Sequence, residues 1–169
     1  LGVLIPGSGR TLQNFLDLSE EGELKADVVK VISSRPEAYG LERARNHGVE
    51  TAVVQKGDYD GTTGFSRAIT EELEEADVDL VAMAGFLQFY RVPPRLKGRV
   101  MNIHPALLPS FGGQGYYGDR VHRAVLEYGC KVSGCTVHFA DNEYDNGPII
   151  VQKTVPVRED DDHDTLGDR

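Results

Sequence analysis

The chain is poor in cysteine, in positive charge and in long apolar runs, and each deficit removes a class of protein. Its 169 residues include two cysteines, Cys130 and Cys135. Two are too few for a disulfide framework, and their spacing is not that of a zinc site. An odd separation on or just before one strand turns them to opposite faces, where they are poorly placed to bridge. Unpaired thiols suit a reducing cytoplasm, the location expected for this protein. Lysine and arginine number 18 against 27 aspartates and glutamates, a formal net charge of −9. That balance argues against the basic face needed for non-specific nucleic-acid or membrane-surface binding, so neither is an expected partner. No apolar run approaches membrane-spanning length, no signal peptide precedes the first apolar stretch, and there are no internal repeats. Small molecules remain. An anionic one is compatible with the net charge, because backbone N–H groups and a few local cations make the favourable field.

What is present reads as one α/β domain with an ordinary globular composition of 40 % hydrophobic and 27 % charged residues. Gly2-Val3-Leu4-Ile5 reads as a first strand, followed by the turn Pro6-Gly7-Ser8-Gly9-Arg10-Thr11 and a helix marked by Leu12, Phe15 and Leu16. Strand, glycine turn and helix N-terminus make an anion site. Leu12 replaces the third glycine of the dinucleotide fingerprint, so the turn suits one phosphate better than a pyrophosphate. Further strands are expected at Val28–Ile32, Thr51–Val54, Val78–Ala84, Gly98–Ile103, Val132–Phe139 and Pro148–Val157. Helices are expected from Pro36 to near Gly48, through Phe65, Ile69, Leu73 and Ala76, and after Asp119 as cap. The run Glu71, Glu72, Glu74, Glu75 reads as a solvated face. Phe86, Phe89 and Tyr90 either wall a pocket for a flat ligand or pack on the core. Asp160-Asp161-Asp162-His163 reads as a solvated acidic loop in preference to a divalent-ion site.

The chemistry concentrates in Met101-Asn102-Ile103-His104-Pro105-Ala106-Leu107-Leu108-Pro109-Ser110. Side chains alternate along a strand, so Asn102 and His104 share a side and Ile103 faces the other way. An amide and an imidazole at the carboxyl end of a strand stand where open α/β sheets bind their ligands. The glycine-rich loop Phe111–Gly118 follows. Asp145 alone reads as a turn residue beside Asn146-Gly147. His138 reads as a core or supporting residue, His122 is ambiguous, and His47 is expected to be exposed.

Several motifs occur in one order: Gly7-Ser8-Gly9-Arg10-Thr11-Leu12-Gln13, Gly40-Leu41-Glu42-Arg43-Ala44, Ala84-Gly85-Phe86, Asn102-Ile103-His104-Pro105, Val137-His138-Phe139 and Asp145-Asn146-Gly147-Pro148. Together they resemble the folate-dependent formyltransferases, over essentially the whole chain. The first turn with Leu12-Gln13 points to the phosphoribosylglycinamide formyltransferase branch. The resemblance implies a Rossmann-like three-layer α/β fold, its seven-stranded sheet mostly parallel with one antiparallel strand. It implies 10-formyltetrahydrofolate as co-substrate, glycinamide ribonucleotide as acceptor and no metal. By residue, it gives Asn102, His104 and Asp145 as the catalytic trio and Gly9, Arg10 and Thr11 as the phosphate turn. The pterin pocket matches Leu87, Gln88, Phe89 and Tyr90 with Asp141, Asn142, Glu143 and Tyr144; Gln88 stands where some members carry arginine. Residues 1–169 are then expected to be a single formyltransferase domain trimmed at both ends, with a C-terminal helix missing.

Such residues can run acyl transfer to an amine. The amine is itself the nucleophile, so the protein's main task is to stabilise the oxyanion on the formyl group. One aimed donor is typically worth roughly 3 kcal/mol. Asn102 and a protonated His104 are the donors, and Asp145 holds His104 and relays a proton through a water. Formyltetrahydrofolate hydrolysis and a non-catalytic sugar-phosphate-binding module are the alternatives. A methionyl-tRNA formyltransferase domain needs a basic surface, which the net charge of −9 disfavours.

Overall fold

The computed structural model describes residues 1–169. Its elements are β1 Gly2–Ile5, α1 Arg10–Glu20, β2 Lys30–Ser33, α2 Tyr39–Asn46, β3 Glu50–Val53, α3 Gly61–Glu75, β4 Val81–Met83, β5 Val100–His104, α4 Asp119–Tyr128, β6 Val132–Phe139, β7 Ile149–Pro156 and α5 His163–Asp168. The strands form a seven-stranded sheet in the order β3-β2-β1-β4-β5-β6-β7. β1 pairs in parallel with β2 and β4, and β2 with β3. β6 alone runs antiparallel to its neighbours, β5 and β7. The expected mostly parallel Rossmann-like sheet with one reversed strand is the one observed. No helix is long and apolar enough to cross a membrane.

The chain groups into two compact units, Leu1–Val100 and Met101–Arg169. In the first, every residue of β1 and β2 is buried, the pattern of parallel strands covered on both faces. α1 turns Leu12 and Leu16 inward, four residues apart and so on one stripe of the helix. They join Val3, Ile5, Val31, Leu41 and Ala44 in one core. α3 buries Phe65, Ala68, Ile69 and Leu73 at the same helical spacing.

Some expectations give way here. Pro36 precedes α2 instead of opening it: Ala38 N–H donates to Arg35 O in a turn, and the helix begins at Tyr39. β2 starts two residues later than expected and contains Lys30, only 1 % exposed. Its ammonium reaches Glu50 at 2.5 Å and Glu72 at 2.7 Å. Burial alone would lower the lysine pKa, but the two carboxylates outweigh it and hold Lys30 charged, above its ordinary value. Glu72 therefore turns inward, while Glu71, Glu74 and Glu75 lie on the solvated face. Phe86 and Tyr90 pack on the core. Phe86 stacks on Phe65 with ring centroids 6.3 Å apart, and the buried Tyr90 hydroxyl bonds Thr70 at 2.9 Å.

The second unit has a small apolar centre of Ala106, Val121, Val125 and Leu166. Gly118 occupies the N-cap of α4, and Asp119 is its first helical residue, where a negative charge suits the helix dipole. The acidic run at 160–163 is not a free loop. The Asp162 side chain accepts from Asp164 N–H and Thr165 N–H in a capping box that starts α5. Asp161 accepts from Arg158 N–H and from Arg169.

Candidate active site

β5 and β6 are antiparallel with Asn102 directly opposite His138 and His104 opposite Thr136. Directly opposed side chains share a face, so the register alone assembles a four-residue polar row. The chain then returns through the 140–148 loop and adds Asp145, held at φ 52°. Its carboxylate is nearly covered, with 12 % of the side chain exposed. Oδ2 accepts Gly113 N–H at 3.0 Å and faces His104 Nδ1 at 3.4 Å. Oδ1 accepts from Asn102 Nδ2 at 3.5 Å and lies 3.7 Å from His138 Nε2. The three residues singled out from the sequence thus converge, and His138 joins them as a fourth.

The partners fix which atoms carry hydrogen. His104 Nε2 lies 2.8 Å from the Phe111 carbonyl, which can only accept, so the proton is on Nε2. His138 Nδ1 lies 3.1 Å from Phe139 O and is likewise the donor, which leaves Nε2 to accept from Asn102 Nδ2 at 3.2 Å. The opposite Asn102 flip would set an amide oxygen against the carboxylate. Both Asn102 N–H groups are therefore engaged, one with His138 and one with Asp145. Burial pushes the Asp145 carboxyl upward, but the charge of His104 and the Gly113 N–H outweigh that and hold it below the usual carboxylate range.

A second network supports the turn after His104. The buried Thr136 hydroxyl donates to Ala106 O at 2.6 Å and accepts from Leu108 N–H at 3.0 Å and Gln152 Nε2 at 2.9 Å. Gln152 also donates to Leu108 O at 3.0 Å. Neither Thr136 nor Gln152 was singled out from the sequence. Pairing β5 with β6 in antiparallel register is the signal that would have found Thr136.

The first unit carries the other predicted groups. Gly9 is the left-handed N-cap of α1 at φ 70°, and a Cβ there would come within 2.7 Å of Gly40 Cα, so only glycine fits. Arg10 and Thr11 open α1 and are exposed. Leu87 is 57 % exposed and Gln88 and Phe89 are half-buried. The Tyr90 side chain is not available to a ligand, being committed to Thr70.

In the 141–145 loop, Asp141 shapes its own turn by accepting Glu143 N–H at 2.8 Å and Asn146 Nδ2 at 3.3 Å. Asn142, Glu143 and Tyr144 are exposed. His47 is half-buried, contrary to expectation, with Nδ1 on Arg43 O at 2.8 Å. The His122 Nδ1 is buried and unpartnered, and burial pulls its pKa down despite Asp119, with His163 and His104 pulling the same way. Asp119, His163 and Asp164 bring ligand-type atoms within 4.8 Å of one another. Arg123 donates to His163 Nε2 at 2.5 Å, which puts a fixed positive charge where a cation would compete.

Known proteins share this fold. A family model described as formyl transferase matches residues 1–169. The crystal structure of glycinamide ribonucleotide transformylase 1 from Symbiobacterium toebii superposes with a TM-score of 0.89 at 46 % identity, over 98 % of this chain and 76 % of that one. A chloroplastic phosphoribosylglycinamide formyltransferase from Vigna unguiculata is 37 % identical over all of this chain and 55 % of its own length. The trifunctional purine biosynthetic protein adenosine-3 of Drosophila melanogaster is 41 % identical across the whole chain, which spans 12 % of that protein. Of these curated relatives the chain thus spans about half in the plant case and a small part in the insect one. With the family match running from the first residue to the last, this chain belongs to the formyl transferase family.

Proposed function

We propose that the chain transfers the formyl group of 10-formyltetrahydrofolate to the amine of glycinamide ribonucleotide, a step of de novo purine biosynthesis. The names of the plant and Symbiobacterium relatives support the acceptor. The observation that carries the reading is the convergence of Asn102 and His104 on the Asp145 carboxylate at 3.5 and 3.4 Å. The amine attacks the formyl carbon, and negative charge develops on the formyl oxygen. Asn102 is the first donor to that oxygen. Its bond to Asp145 is the longest in the cluster and the one displaced at least cost. His104 supplies charge beside the oxyanion, and donates from Nε2 once the Phe111 carbonyl on the glycine-rich loop gives way. Asp145, kept ionised by its neighbours, carries the proton from the amine to the leaving nitrogen through a water. No step is assigned to a metal.

Gly9, Arg10 and Thr11 receive the substrate phosphate at the N-terminus of α1. By resemblance to the family, Leu87, Gln88 and Phe89 in the first unit are pterin contacts, as are residues 141–144 in the second. We place the reaction in the cytoplasm, where the free Cys130 and Cys135 stay reduced. The test follows folate release from 10-formyltetrahydrofolate by absorbance, with glycinamide ribonucleotide, methionyl-tRNA or water alone as acceptor. Turnover only with the ribonucleotide is expected. Turnover in water alone means a hydrolase, and bound folate without turnover means a binding module.

A further inference from the structure

The segment Gly40-Leu41-Glu42-Arg43-Ala44 lies on α2, yet its polar atoms are directed at the turn before α1. Gly40 N–H donates to Gly7 O at 2.9 Å, and Arg43 Nε donates to Ser8 O at 3.0 Å. We propose that Arg43 is a positioning residue for the anion-binding turn at residues 7–11, aiming its N–H groups at the substrate phosphate through its hold on Ser8 O. The inference rests on the phosphate role proposed for that turn.

In a trans peptide unit, the carbonyl of one residue and the N–H of the next point in opposite directions. Drawing Gly7 O toward Gly40 therefore turns Ser8 N–H away from α2. Drawing Ser8 O toward Arg43 does the same for Gly9 N–H. Two successive donors are aimed outward just ahead of the α1 N-terminus, whose dipole favours an anion at the same place. Without the second hold, the Ser8–Gly9 peptide plane is free to rotate, since Gly9 tolerates many backbone conformations.

Arg43 is itself unusually constrained. Nη1 donates to Gln13 Oε1 at 2.8 Å, and the guanidinium carbon lies 4.8 Å from the centre of the Tyr39 ring. Gln13 Nε2 donates to Asp17 at 2.8 Å and contacts His47 Nε2 at 3.4 Å, while His47 Nδ1 returns to Arg43 O at 2.8 Å. The bonds close a ring from Arg43 through Gln13 and His47 back to Arg43. The planar fork reaches Ser8 O and Gln13 from two separate nitrogens, a fixed geometry that the single nitrogen of a lysine ammonium does not reproduce.

Steady-state kinetics and phosphate calorimetry on the full chain carrying Arg43→Ala, Arg43→Lys or Gln13→Ala test the proposal. Arg43→Ala is expected to raise the ribonucleotide KM about tenfold, the range of one charge-assisted hydrogen bond. The inhibition constant of inorganic phosphate rises in parallel, with kcat and the folate KM within about twofold of wild type. Arg43→Lys keeps the charge and recovers only part of the loss. Gln13→Ala, which removes one arm of the fork, gives a smaller KM rise in the same direction. Full recovery by lysine overturns the proposal, because charge alone then suffices. So does an unchanged ribonucleotide KM in either the alanine variant of Arg43 or that of Gln13, or a loss shared equally by both substrates and kcat. If wild type shows no ribonucleotide turnover, the functional reading fails. Calorimetry with inorganic phosphate still decides this proposal: weaker binding in Arg43→Ala supports it, and equal binding, or none to wild type, overturns it.

Discussion

In Leu1–Val100 the fully buried large side chains are nearly all apolar, Leu4, Ile5, Leu12, Ile32, Leu41, Phe65, Ile69 and Leu73 among them, with Lys30 the exception. In Met101–Arg169 the buried hydrophobics are Ala106, Leu108, Val121, Val125 and Leu166, and four buried polar residues, His104, Ser133, Thr136 and His138, accompany them. The first unit is held by area removed from water, about 25 cal/mol per Å² and without directional demand. The second depends on hydrogen bonds whose loss leaves a partner buried and unsatisfied. Order comes from bulk in one and from exact pairing of donors with acceptors in the other. The groups proposed to carry the reaction belong to the second kind.

The contrast predicts different failures. The largest effect is expected from Asp145→Asn and His104→Ala, each lowering turnover by about 10²–10⁴-fold while the domain remains folded. Near-normal rates in either variant remove that residue from the chemistry. Phe65→Ala should do the reverse, costing about 3–5 kcal/mol of stability in denaturant titration, with kcat of the folded fraction unchanged. Thr136→Val lies between them. It leaves Leu108 N–H and one Gln152 donor unpaired, for a loss of about 1–3 kcal/mol, and it loosens the turn after His104 enough to lower kcat as well. Should Thr136→Val leave both stability and kcat untouched, the polar network is not what orders the second unit.

Two smaller effects depend on pH. Asp145 has a folded value held below its ordinary 3.8. Its contribution to stability is complete above the unfolded value and is lost as pH falls through the folded one. Acid unfolding of Asp145→Asn should therefore have a shallower pH dependence below about pH 4 than wild type. His122 has the opposite chemistry and the same sign, since a buried neutral imidazole resists charging. With its folded value below the ordinary 6.5, stability is complete above that value and declines as pH falls from it toward the folded one. His122→Phe should flatten that slope, and an unchanged slope would assign it to other groups.

How far the sequence could be read follows the same division. β1 and β6 occur where their apolar patterns place them, and β7 lies within one residue at each end of its expected span. The three residues matched to the catalytic trio meet in space. Lys30 was invisible within an apolar strand, because its partners Glu50 and Glu72 come from two other elements. Phe86 and Tyr90 were ambiguous for the same reason: whether an aromatic residue lines a wall or fills a core depends on Phe65 and Thr70, far along the chain. His138 reads from the sequence as a core or supporting residue, and only strand register puts it opposite Asn102. The tie from His104 to the Phe111 carbonyl had no sequence signal, since any residue offers a carbonyl.

That tie, with the two bonds of Asn102, means that the donors proposed for the substrate oxygen are satisfied internally at rest. A ligand is offered an exchange, not an open socket. A neutral carbonyl that replaces Phe111 O or the Asp145 carboxylate gains little, because it accepts no better than what it evicts. An oxygen that has taken on negative charge accepts far better and wins the exchange. The site's own groups thus act as built-in competitors that suppress tight binding of ground-state look-alikes and leave the charged, tetrahedral species favoured. Inhibitors that present a plain amide or ester oxygen to this cluster should therefore be weak, and mimics of the oxyanion strong.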